Sequence, residues 1–60
     1  MSRKQTVTRW SVVLHEPAGD CDVDGGFLTE QEAQRNLEPI AQAHGWPVEA
    51  MTVEPRQQEV

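Results

Sequence analysis

The sequence predicts an α+β fold: a single small β-α-β domain over 1–60, with one capped helix packed on a two-stranded sheet. Three observations predict it. Residues 6–16 are rich in β-branched side chains and alternate in character. Residues 29–44 carry helix start and stop signals around an apolar stripe. Residues 48–54 return to a β-rich composition.

The first strand runs from Thr6 to Glu16. Its alternation puts Trp10, Val12 and Leu14 on one face, and Val7, Arg9, Ser11, Val13 and His15 on the other. The first face is the one expected to meet the helix, with the second left to solvent. Pro17, which has no amide proton to give to a ladder, ends the strand. The stretch 17–28 then reads as a loop of acids and turn formers. Within it, a short strand at 21–23 is an option, hairpinned back onto 11–16.

Three local rules open the helix at Thr29. The Thr29 hydroxyl and the Glu32 side chain form a capping box, and Leu28 faces Ala33 as a hydrophobic staple. Glu30 and Glu32 place negative charge at the positive end of the macrodipole. Ala33, Leu37, Ile40, Ala41 and His44 recur with helical spacing and form one stripe. Gly45 suits the left-handed position that closes a helix, and Pro47 prevents continuation. Pro39 falls inside. It removes one backbone bond, so the helix, about 29–44, is expected to bend there while the stripe continues in phase. A second strand over 47–54, with Met51 and Val53 turned inward, ends at Pro55. The ends, 1–5 and 56–60, are expected to be flexible.

With a tight link after the helix, the two strands are expected to lie parallel, joined by one right-handed crossover. Two strands leave two open edges, and sixty residues make a marginal core. Both points predict a homodimer that extends the sheet. The ten acids against five basic residues give a net charge of −5. Residues 1–10 hold Arg3, Lys4 and Arg9 and no acid, so the charge is uneven. An acidic body repels nucleic acid and anionic lipid, which leaves only weak nucleic-acid contact through the basic N-terminal arm. Cys21 is the single cysteine, which excludes an internal disulfide and fits a reducing compartment. With no apolar run of membrane or signal length, a cytoplasmic protein is expected.

One motif carries chemistry. Asp20, Asp22 and Asp24 alternate, followed by Gly25, Gly26 and Phe27 and ending at Gln31. This twelve-residue stretch resembles the calcium loop of the EF-hand family. The resemblance implies carboxylate ligands from Asp20, Asp22 and Asp24, a carbonyl ligand from Gly26, and a sharp turn at Gly25. Calcium wants six to eight oxygens, and alternate acids in a tight loop converge on one point. Gln31 stands where the family has a bidentate Glu, so only weak affinity is expected. No other cofactor is predicted.

Catalysis has no constellation here. No nucleophile motif or phosphate loop is present, and Cys21 with His15 or His44 lacks any local signature of a thiolate pair. Trp10 and Trp46 are the candidate partner-binding residues, since tryptophan dominates protein-binding hot spots. Gly25–Ala33, together with the Trp-containing strand before it, resembles the strand-to-helix joint of small proteins from actinobacteria and their phages. It is similar too to the joint in the arm-type DNA-binding domains of phage integrases. The three-stranded sheet and basic face of that family are missing from this sequence, which reads as two-stranded and acidic. The function expected is that of a small non-enzymatic accessory or regulatory protein that binds another protein and is phage-encoded. The alternatives are a calcium-binding module and weak nucleic-acid contact.

Overall fold

The computed structural model describes residues 5–59. Strand β1 (Thr6–Glu16) is followed by β2 (Gly19–Phe27), helix α1 (Glu30–His44), a single 3₁₀ turn (Val48–Ala50) and β3 (Met51–Glu59). The strands form one antiparallel sheet in the order β2-β1-β3. The α+β class therefore holds, and three features of the two-strand reading are corrected.

First, the 17–28 stretch is not a loop. Pro17 does end β1, but Pro17 and Ala18 make a tight turn, and Gly19, at φ 137°, starts a full return strand. Glu16 pairs with Gly19, Val13 with Asp22, and Trp10 with Phe27. Two register shifts put extra residues into β2, one between the Val13 and Val12 pairs and one between the Val12 and Trp10 pairs. These bulges absorb the awkward glycines. Gly25 is needed for its bareness, because a Cβ there would stand 2.8 Å from Ser11 Oγ.

Second, β1 and β3 are antiparallel rather than parallel. The strands that α1 connects are β2 and β3, which run the same way on either side of β1. The crossover is real, but it steps over the central strand. The third strand of the sheet, β2, comes from within the chain.

Third, Pro55 does not end β3, and residues 56–59 continue the ladder to the Thr6–Glu59 pair. An edge strand tolerates proline because alternate amides have no ladder partner to lose. Val48–Ala50, expected as strand, forms the 3₁₀ turn instead.

The helix behaves largely as its sequence dictates. Thr29 is the N-cap, and its Oγ1 accepts from Glu32 N at 3.1 Å. Leu28, however, is 63% exposed, so the expected staple onto Ala33 leaves it largely in water. At the other end Gly45 takes φ 73°, with Gly45 N donating to Gln42 O and Trp46 N to Ala41 O. This pair of bonds is the Schellman closure. The helix is continuous through Pro39, which lies on the exposed side.

Ala33, Leu37 and Ala41 are buried, and Leu37 and Ala41 pack with Val12, Leu14 and Met51. Val23, Phe27, Ile40, Trp46, Ala50 and Val53 close around this cluster. The inward choice of Met51 and Val53 is thus what forms. Among the described residues no helix is long and apolar enough to cross a membrane.

Candidate functional site

Alternation along β1 creates two sheet faces, and the one away from the helix is not simply solvated. Val13 points to that face and is nonetheless 0% exposed, and Ser11 beside it is 5% exposed. Polar side chains from all three strands are bonded to one another on this face. Arg56 on β3 reaches across β1 to Asp22 on β2, with Nη2–Oδ1 at 2.9 Å and Nε–Oδ2 at 3.1 Å. Arg56 Nη1 also donates to Glu54 Oε1 at 3.5 Å. His15, further along β1, sets Nδ1 2.7 Å from Asp20 Oδ1 on β2, and Nε2 2.7 Å from Thr52 Oγ1 and 3.3 Å from Glu54 Oε2 on β3. Thr52 Oγ1 donates to Glu54 Oε2 at 2.9 Å. With both ring nitrogens protonated, every contact in this set has a donor.

Hydrogen bonding to the Asp22 carboxylate raises the Arg56 guanidinium above its usual range; desolvation opposes this, and Glu54 adds to it. A cation whose folded-state pKa is raised contributes stability below its unfolded value, which is lost only as pH rises through the folded one. Both values lie in strong alkali, so the bridge adds no pH dependence through Arg56 near neutrality. Its sensitivity is to salt, since both partners are partly in water.

This geometry decides where the acidic motif stands. Asp20, Asp22 and Asp24 lie on an extended strand, where residues two apart are separated by about 6.8 Å and do not converge as in a loop. Each has its own partner. Asp20 faces His15, Asp22 grips Arg56, and Asp24 Oδ1 accepts from Gly25 N at 2.9 Å. Gly26, at φ 82°, belongs to the bulged end of β2, and Gln31 lies in the first turn of α1. Among the described residues no group of three or more His, Cys, Asp and Glu side chains is placed to hold a metal ion. Cys21 is exposed and sits across the ladder from Leu14.

The two tryptophans are at opposite ends of the helix-covered region. Trp46 follows the helix cap, packs on the core and stacks on His44, with ring centroids 4.3 Å apart at 12°. Trp10 lies in a row with Phe27 on one side and Pro55 on the other, and is half-buried. Neither is fully exposed.

A feature of the ladder that single-strand reasoning missed lies beside Trp10. β3 pairs with β1 from Leu14 to Thr6, but β2 pairs only from Glu16 to Trp10. Among the described residues Thr6–Arg9 therefore has a strand on one side alone. With Arg56–Glu59 it makes a two-stranded ribbon that steps out beyond β2, tied by Gln57 Nε2 donating to Thr8 Oγ1 at 3.2 Å. Arg9 stands opposite Arg56 on this ribbon. Arg56 is taken by carboxylates, whereas among the described residues Arg9 donates to the Thr8 carbonyl alone. Arg3 and Lys4 of the basic arm lie outside the described residues.

No family model, no curated protein and no solved structure matches this chain.

Proposed function

We propose that the chain is a small non-enzymatic binding module, an accessory or regulatory protein that receives an extended segment of another protein at the open side of β1, residues 6–9. The observation that carries this is the step in the sheet. Two of the sheet's borders are guarded: β2 by bulges and aspartates, β3 by Pro55 and by charged residues. Such devices suppress strand pairing. The Thr6–Arg9 side has neither proline nor glycine, nor a register shift, and its sequence Thr-Val-Thr-Arg favours strand. An added strand gains main-chain hydrogen bonds from groups otherwise left to water. Trp10 stands at the inner end of the step, with the role expected of a partner-binding residue, and Leu28 follows where the chain leaves β2.

The test is capture of partners from a host lysate, followed by amide NMR of the isotope-labelled chain with the captured protein. The expected perturbations centre on Thr6–Trp10 and Phe27–Leu28. Perturbations confined to the outer side of α1, or to the Asp20–Asp24 segment, would overturn this choice of surface.

A further inference from the structure

Resting on that strand-accepting role, we infer that the segment received is acidic: an extended peptide that places Asp or Glu beside Arg9 and an apolar side chain beside Thr8. The ladder fixes these positions. Arg9 shares its face with Val7 and Ser11, and Thr8 shares its face with Trp10. Across from Arg9 on the β3 side stands Arg56, a like charge directly opposite, which is unfavourable. On the other side the ladder to β2 stops at the Trp10–Phe27 pair, so no β2 residue pairs with Arg9 there.

An arriving carboxylate fills that position. It gives Arg9 the charged partner that Arg56 already has in Asp22 and Glu54. One residue along, an arriving side chain beside Thr8 lies next to the Trp10–Phe27 pair and near Leu28, which is 63% exposed. An apolar residue suits that neighbourhood. Alternation in the partner thus mirrors alternation in β1.

The wider charge distribution agrees. Residues 1–10 and 55–60 together hold Arg3, Lys4, Arg9 and Arg56 against Glu59 alone, a net +3. Residues 11–54 hold Arg35 against nine acids, a net −8. The acids of 11–54 repel an acidic segment from the rest of the sheet and helix, which leaves Arg9 as the position on β1 that draws it.

The probes are three short synthetic peptides: alternating Val and Glu, the same with Lys for Glu, and the Val-Glu peptide with a central proline. Binding is read by fluorescence anisotropy of labelled peptide and by amide shifts of the protein. The Val-Glu peptide is expected to shift the Thr6–Arg9 amides and to bind at least about tenfold more tightly than the Lys peptide. The proline peptide is expected to lose binding, because it cannot complete the ladder. In Arg9→Glu the preference is expected to reverse, with amide dispersion showing that the fold is kept.

Equal binding of the Glu and Lys peptides at Thr6–Arg9 would overturn the acidic preference and leave strand addition standing. Failure of both peptides to shift those amides would overturn both. A duplex oligonucleotide that shifts the same amides when the Val-Glu peptide does not would assign the cations to nucleic acid. Concentration-dependent shifts at Thr6–Arg9 without any peptide would assign the step to a second copy of the chain. Either result overturns the inference.

Discussion

Gly25 shows how a single missing atom shapes the open face of the sheet. The residue lies in the bulged half of β2, and its bare Cα lets Ser11 Oγ occupy the space where a Cβ would stand. Gly25→Ala forces a shift at a site 5% exposed, and overpacking of this kind costs about 1–3 kcal/mol. Urea unfolding of Gly25→Ala, Ser11→Ala and the double variant checks this. The Ser11→Ala change removes the close atom, so the double variant is expected to recover most of the loss. Additive losses would place the cost of Gly25→Ala elsewhere, in backbone geometry. Arg56 makes a related point about legibility. Its partner Asp22 is 34 residues away, and no local pattern announces that pairing. From its own neighbourhood, after a proline and among glutamines, it reads as a fraying tail.

At the level of elements, legibility follows how local the determinants are. The helix was readable because its cap, its apolar stripe and its terminating glycine all lie within 29–45. β1 was readable because alternation and β-branching agree. Of β2 only the short strand at 21–23 was legible, as an option; the rest was not, because Gly, Asp and Cys favour turns and pairing with β1 overrides that preference. One signal did exist: Asp20, Asp22 and Asp24 alternate with Cys21 and Val23, a period of two that suits a strand as well as a ligand loop. The continuation of β3 past Pro55 was hidden because tolerance of proline depends on being at an edge, and edge status is a property of the whole sheet.

Pro39 gives a direct test at this scale. The helix is continuous despite the missing amide, and Pro39 is on the exposed side, so alanine meets no packing obstacle. Pro39→Ala restores a donor for the Arg35 carbonyl, and about 1–3 kcal/mol of added stability is expected once the stiffer unfolded chain of the proline form is discounted. Chemical denaturation reads it. Unchanged or lower stability would mean that the proline is accommodated without strain.

The whole molecule is thin and long, 47 × 25 × 14 Å, with a radius of gyration of 13.1 Å. A compact domain of this length would be nearer 10 Å. The reason is a mismatch of lengths. An eleven-residue strand spans about 37 Å, whereas a fifteen-residue helix spans about 22 Å. The helix and β2 serve the Leu14 end of β1, where the core lies, and the Thr6 end is left as a ribbon with polar side chains. A two-stranded ribbon gains little stability on its own. No one segment of the sequence carries this step. It arises from where β2 ends relative to β3, and both endpoints were outside local reach.

Residue-resolved amide hydrogen exchange tests the step most directly. Where β1 is central, at Val12–Leu14, residues are paired on both sides, and all their amides are expected to be protected. At Thr6–Arg9 only alternate amides face β3, so protection is expected to alternate, with the other amides exchanging close to the unfolded rate. Uniform protection across Thr6–Arg9 would mean that the open side is already covered. Uniform loss would mean that the ribbon does not persist. Either outcome would contradict a preformed strand-accepting site.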